Sequence, residues 1–449
     1  MLHVTKVPKA HGQPGTPRWA TADEFPVKSS AVRTDLQRFR FLERQLGPLS
    51  SPRLILLTGA RQTGKTTLAR AVYSDLAYFN LDAPEQREAL RELRADAWTA
   101  TIGPAILDEA QKEPSLFDKV KFAFDAGQIT RTVLLGSSQI LMLQRVRETL
   151  AGRAFVYELW PLMASELAHE GDSDPAVPLL DRLLREPGSA DEVLASLPAV
   201  RIGELASRAA AAVDHLQRWG GMPALLPLPD AERTKWLQSY EATYLERDLG
   251  DLTRMDDLMP FRRFQQLAAL RSGHLLAYAD LARDAGLSPT TSRRYLEYLR
   301  LSYQAFLMQP YSTNLTSAVV KTPKVYWIDL GLWRHLTRFQ GPVTGPMFET
   351  LVVTEVHKWV KTAELPADLA FYRTRSGLEV DLLVTTPHGV WGIEAKAGSQ
   401  LGASAWRALR EVGEALGFSW RGGLIAYTGT ALRRLDANIW AVPVDRLLV

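Results

Sequence analysis

The chain of 449 residues contains no cysteine. That excludes disulfides, thiolate zinc sites and a cysteine nucleophile, and it is compatible with a cytoplasmic location. Long apolar runs are missing as well. None approaches the roughly 18 residues a membrane helix needs, so neither a span nor a membrane partner is expected. The first thirty residues, Met1 to Ser30, are polar, contain Pro and Gly and lack an apolar stretch. They read as an N-terminal extension and not as a signal peptide. Charge of one sign is also scarce. Lys and Arg number 53 against 50 Asp and Glu, a formal charge of +3, so any contact with nucleic acid must come from local patches. No internal repeat and no low-complexity tract is found. What is present, 46% hydrophobic and 23% charged residues, excludes a disordered or collagen-like chain. At roughly 150 residues per domain the length suggests about three domains.

Patterning divides the chain into an extension over 1–32, an α/β block over 33–168, a helical insertion or linker over 169–200, a helical block over 201–338 and a second α/β block over 339–449. In the first block, short apolar runs alternate with helical patterns, which predicts a sheet built from βαβ units. Strands are expected at Arg53–Thr58, Ala105–Asp108 and Arg131–Gly136.

Gly59-Ala60-Arg61-Gln62-Thr63-Gly64-Lys65-Thr66, followed by Thr67, fits the Walker A pattern without mismatch. It follows an apolar strand and opens a helix. The glycines let the backbone wrap phosphates, and successive N–H groups with the helix N-terminus receive the negative charge. Lys65 would bridge the β- and γ-phosphates of ATP, and the Thr66 hydroxyl would ligate Mg²⁺. Ala105-Ile106-Leu107-Asp108-Glu109 is an apolar strand ending in two carboxylates, the Walker B arrangement. Asp108 would hold Mg²⁺ through water, and Glu109 would act as general base toward the attacking water. The third strand ends in Gly136-Ser137-Ser138, where Ser138 is favoured over Ser137 to sense the γ-phosphate, the alternative being a helix cap. Arg153 follows by one helix. It is expected either to reach a γ-phosphate, in cis or in a neighbouring subunit, or to be a solvated charge.

In the helical block, Tyr278–Pro289 reads as the first helix and turn of a helix–turn–helix. Gly286 suits the turn, Ser288 the N-cap and Pro289 the first helical position. The next helix would present Thr290, Thr291, Arg293 and Arg294 to a DNA groove, or serve as a packing module. In the last block, the turn Thr386-Pro387-His388-Gly389 joins two strands. Pairing Thr386 with Gly389 sets Asp381 opposite Glu394, with Lys396 two residues on and on the same face. Asp…Glu-x-Lys is the layout of restriction-endonuclease-like nucleases, where two carboxylates hold Mg²⁺ and lysine polarises water. A third carboxylate is expected from the preceding helix, Glu349 in preference to Glu355. The alternative is a cross-strand salt bridge.

The Walker segments, Asn80-Leu81-Asp82, Asp108-Glu109-Ala110-Gln111-Lys112, Leu135-Gly136-Ser137-Ser138, Ala151-Gly152-Arg153 and Leu159-Trp160-Pro161-Leu162 resemble one prokaryotic family: AAA-type P-loop ATPases fused to a C-terminal domain of unknown function with a nuclease-like fold. Lys324-x-Tyr326-x-x-Asp329-x-Gly331-Leu332 matches the family's junction and is read as a strand and turn. The resemblance implies a winged-helix-like middle segment and a nuclease-like C-terminal domain. The combined expectation is an ATP-hydrolysing, DNA-processing protein, a motor on branched or broken DNA, using ATP and Mg²⁺. It would form a homo-oligomer if Arg153 acts in trans. The competing expectation is a nucleotide-gated switch that binds a protein partner through an inactive nuclease fold.

Overall fold

The computed structural model describes residues 38–47, 52–136, 148–171, 174–252, 258–311, 321–402 and 404–449, with backbone alone for 244–252. Five strands, β1 (Arg53–Thr58), β2 (Ala77–Asn80), β3 (Ala105–Asp108), β4 (Arg131–Leu135) and β5 (Ala154–Glu158), form a sheet ordered β2-β3-β4-β1-β5. All its pairings are parallel. The central strands read as continuous apolar runs because both faces are covered. Alternate residues Leu54, Leu56, Leu107 and Leu134 pack with Phe117 and Val120 on one face. Ile55, Leu57, Ile106, Val133 and Leu135 pack with Leu68 and Ala69 on the other. The first face receives the helix Ser115–Asp125, the second the helix Lys65–Val72, here α1.

The remainder builds around a second sheet. Its strands are β6 (His274–Leu275), β7 (Ala305–Pro310), β8 (Lys324–Trp327), β9 (Asp368–Arg373), β10 (Glu379–Thr386), β11 (Gly389–Lys396), β12 (Trp420–Tyr427), β13 (Arg433–Asp436) and β14 (Ile439–Pro443). Their order is β13-β14-β12-β11-β10-β9-β7-β8-β6. Strand β7 pairs antiparallel with β8 and parallel with β9, so the sheet runs straight through the division expected at 338/339. The core does the same. Phe264, Leu299 and Tyr326 share one cluster with Phe348, Val352, Leu382 and Ile393.

Three helices of this part position candidate residues: α2 (Pro289–Leu301), α3 (Leu330–Thr337) and α4 (Gly345–Thr362). Helix α2 starts as its sequence dictates. Ser288 Oγ accepts from the Thr291 N–H at 3.1 Å, Pro289 opens the helix, and Gly286 ends the preceding helix Tyr278–Ala285 at φ 70. The stretch expected as an insertion or linker folds into short helices at Leu179–Arg185 and Ala190–Leu194. Leu180, Leu183 and Val193 enter the shared core, and the indole N–H groups of Trp359 and Trp440 donate to Asp181 at 2.9 Å and Asp191 at 2.7 Å.

Candidate functional site

The first site lies at the C-terminal end of β1. The loop leaves the strand through Gly59 at φ 145, where a Cβ would collide with the Leu159 carbonyl. It enters α1 through Gly64 at φ 96. Lys65 Nζ donates to the carbonyls of Gly59 at 3.0 Å and Ala60 at 2.8 Å, so the ammonium is held over the loop. Thr66 Oγ1 donates to Asp108 Oδ2 at 2.6 Å, and the Tyr78 hydroxyl donates to the same oxygen at 2.8 Å. Burial, then Asp108, pushes the Tyr78 hydroxyl above its usual range, so it stays a donor. Strand β4 separates β1 from β3, as expected for a strand tip between the two Walker strands. Ser138 itself lies outside the described residues.

Glu109 follows Asp108 in the left-handed region at φ 54. Its N–H donates to Asp108 Oδ1 at 3.0 Å, and Gln111 Nε2 donates to Glu109 Oε2 at 2.5 Å. Residues Arg61 to Thr67, Asp108 and Glu109 line one cleft of about 600 Å³, with Pro223, Ala224 and Pro227 forming part of its wall. A hydroxyl and a carboxylate in contact at the loop's end form an oxygen pair that suits Mg²⁺. A bound Mg²⁺ would supply charge neutralisation for the phosphates.

Arg40 is a residue that patterning missed. It is buried, with Nη1 donating to the Thr63 carbonyl at 2.7 Å, Nη2 to the Trp160 carbonyl at 2.5 Å and Nε to Glu166 at 3.2 Å. Glu166 in turn accepts from the N–H groups of Phe41 and Met163. One guanidinium therefore anchors the phosphate loop to the Trp160–Glu166 segment. The wall at Pro223 is anchored as well. Leu162 N–H donates to the Gly221 carbonyl at 2.7 Å, and Gly221 N–H donates to Asp329 Oδ2 at 2.7 Å. Asp329 Oδ1 caps α3 by accepting from Leu332 N–H at 2.9 Å.

Of the alternatives expected for Arg153, the structure bears on the contact in cis. Its carbonyl accepts from Leu54 N–H, which places it at the opposite end of β1 from the loop, roughly 13 Å away at about 3.3 Å per residue. Its guanidinium is paired with Asp125 at 2.5 and 3.0 Å. A cis contact with a γ-phosphate is out of reach.

The second constellation sits on the large sheet. Leu382 pairs with Ile393 and Thr386 with Gly389, the register expected from the turn. Where Asp381 meets Glu394, side chains take over the ladder: Glu394 Oε2 accepts from Asp381 N–H at 3.0 Å, and Asp381 Oδ2 from Ala395 N–H at 2.9 Å. Lys396 Nζ lies 3.2 Å from Glu394 Oε1. Glu349, in the first turns of α4, faces this group. Burial first, and Asp381 second, push its carboxyl up to about 7. The same causes lift Glu394 well above its ordinary range. For Lys396, burial opposes the charge, but Glu394 and Asp381 outweigh it and the net shift is upward. Glu355 is elsewhere, bonded to Lys358 at 2.8 Å and to Ala164 N–H at 2.7 Å.

Two further side chains enter this cluster from β8, where the i, i+2 spacing puts Lys324 and Tyr326 on one face. Lys324 Nζ lies 2.8 Å from Glu349 Oε1 and 2.5 Å from Glu379 Oε1. The Tyr326 hydroxyl donates to the same Glu349 oxygen at 2.6 Å. The expectation that Glu349, Asp381 and Glu394 form a metal-binding set needs correction. Among the described residues no group of three or more His, Asp or Glu side chains is arranged to hold a metal ion. Glu394 Oε2 and Asp381 Oδ2 accept backbone N–H groups, and Glu394 Oε1 and Glu349 Oε1 face ammonium groups. A divalent ion at Glu349 would have to share its Oε1 with the Lys324 ammonium at 2.8 Å and the Tyr326 hydroxyl at 2.6 Å. The Mg²⁺ chemistry expected of this cluster does not fit the arrangement.

Arg293 and Arg294 are exposed on α2, their guanidinium groups 5.3 Å from the Tyr278 ring and 5.9 Å from the Tyr295 ring. Among the described residues no helix is long and apolar enough to cross a membrane.

Residues 51–168 match the model of an AAA domain, 211–342 a domain of unknown function (DUF8612) and 344–447 a second domain of unknown function (DUF4143). The chain thus joins an AAA-type P-loop domain to a C-terminal domain of unknown function. Uncharacterized proteins of Mycobacterium tuberculosis and Mycobacterium bovis are each 28% identical over 407 residues, covering 88% of this chain and 81% of theirs. A solved signal-transduction ATPase with numerous domains and a tetratricopeptide repeat sensor, from Pyrococcus horikoshii, shares 10% identity. The match covers 70% of this chain and 45% of that one at a TM-score of 0.24, which is too low to bear on the fold.

Proposed function

We propose that this protein hydrolyses ATP and couples the cycle to engagement of DNA by its middle and C-terminal regions. One observation carries the hydrolase reading: Lys65, Thr66, Asp108 and Glu109 line a single cleft, with Thr66 bonded to Asp108 at 2.6 Å. In that cleft, backbone N–H groups and Lys65 bind the phosphates, and Thr66 with Asp108 holds the Mg²⁺. Glu109, steadied by Gln111, takes a proton from water as it attacks the γ-phosphate. The DNA reading is supported by the helix–turn–helix with exposed Arg293 and Arg294. It is also supported by the Asp381, Glu394 and Lys396 constellation, whose layout is nuclease-like.

The nucleotide-gated switch is favoured by a different contact. Asp329 ties the wall of the nucleotide cleft to α3 and so to the shared core. ATP turnover measured with Mg²⁺, with and without duplex, single-stranded and branched DNA, separates the two. Stimulation by DNA supports the first. Turnover blind to DNA, with no salt-sensitive DNA binding, supports the switch.

A further inference from the structure

The junction Lys324–Leu332 has an unabsorbed end. Asp329 serves the nucleotide cleft, but Lys324 and Tyr326 point the other way, into the carboxylate cluster. There three cations face the four carboxylates Glu349, Glu379, Asp381 and Glu394. Lys324 serves Glu349 and Glu379, Arg373 takes the second Glu379 oxygen at 2.9 Å, and Lys396 serves Glu394. Asp381 accepts the Ala395 N–H. Lys324 is also fixed in place. It is 1% exposed, its backbone is paired in the ladders to both β6 and β7, and its ammonium lies 5.5 Å from the Phe371 ring. A lysine with no path to solvent does not swing aside for an incoming ion.

We propose that Lys324 is the resident cation of this cluster, seated where a nuclease would hold its divalent ion, so that the C-terminal region engages DNA without cutting it. This rests on the DNA reading above. Tyr326 is a positioning residue that holds the Glu349 oxygen toward Lys324.

The test is calorimetric titration of Mn²⁺ into the nucleotide-free, full-length protein. Any ion at Thr66 and Asp108 is common to all variants and cancels. Wild type is expected to show no Mn²⁺ site that Asp381→Asn removes. Lys324→Met is expected to gain one equivalent of Mn²⁺, lost again in Lys324→Met/Asp381→Asn. Stoichiometric Mn²⁺ in wild type that Asp381→Asn abolishes overturns the proposal, as does Mg²⁺- or Mn²⁺-dependent cleavage by wild type. A folded Lys324→Met that gains no site overturns it too. If Lys324→Met does not fold, the comparison of wild type with Asp381→Asn still decides. Anisotropy of a labelled duplex with the same proteins separates the two ideas. DNA bound together with a metal at the cluster sinks this inference and keeps the DNA reading. No DNA binding at all sinks the DNA reading, and with it the claim of engagement.

Discussion

Glu109 reaches the nucleotide cleft from a left-handed backbone, φ 54, a conformation that costs a non-glycine residue of order 1–3 kcal/mol. Its strain and its tether to Gln111 both serve to aim one carboxylate. Glu109→Gln is therefore expected to bind ATP as wild type does while slowing hydrolysis by about 10²–10⁴-fold, the worth of a general base. Wild-type turnover in a coupled phosphate-release assay would remove Glu109 from that role. Arg153→Ala should leave turnover within about twofold, because its guanidinium is committed to Asp125 at the far end of β1. A large loss in the same assay would mean that Arg153 acts on a neighbouring copy. Arg40 belongs to a different class, since losing it strands Glu166, 1% exposed, without its cation. Arg40→Ala is expected to cost about 3–5 kcal/mol in urea unfolding; a change below about 1 kcal/mol would show that the pair adds nothing to stability. The Walker residues were legible because their geometry is local, a strand, a turn and a helix start within a few residues. Arg40 was not, because its partners Thr63, Trp160 and Glu166 lie 23, 120 and 126 residues away in sequence. No periodicity links them.

At the scale of elements, the hairpin β10–β11 was readable because a two-residue turn fixes register, and one fixed pair, Thr386 with Gly389, determines the rest. The choice of Glu349 followed from its place on the buried stripe of α4. The junction around β8 and α3 was not readable. Read as a strand and turn, its lysine and tyrosine carry no sign that they face a helix and a hairpin that come later in the chain. They meet Glu349, whose carboxyl is pushed up from 4.5 to about 7 by burial and Asp381, against the opposing pull of Lys324 and Tyr326. The folded state holds that proton more tightly than the unfolded chain. The resulting stabilisation is complete below about pH 4.5 and is lost as pH rises through about 7. Glu349→Gln is expected to flatten this part of the stability curve, read as the urea midpoint on either side of the window. A wild type that gains stability relative to Glu349→Gln as pH rises across it would contradict the assignment.

For the molecule as a whole, the chain's pattern of blocks gives no warning that β7, from the middle block, sits beside β9 from the last, or that one core spans both. Alternation of apolar and polar residues identifies a strand's faces, not its neighbours in the sheet, and β7 and β9 lie far apart in sequence. The consequence is energetic. Tyr326 and Trp327 before the expected division, and Phe348, Val352, Leu382 and Ile393 after it, are buried in the same cluster. Exposing them at about 1.5–3 kcal/mol each would cost roughly 9–18 kcal/mol. That is comparable with the whole stability of a typical domain, about 5–15 kcal/mol. A chain ended at Arg338 would also leave β7 as an unpaired edge where β9 should be. Neither the middle block nor the last is therefore expected to fold alone: a chain ending at Arg338 should aggregate or lack cooperative unfolding past the P-loop domain, and so should residues 339–449 by themselves. In the full-length protein, hydrogen exchange in β8 and in β11 should report one common opening free energy in urea. A soluble 339–449 fragment with its own sharp urea transition would show that the shared sheet is dispensable and that the blocks are separate folding units.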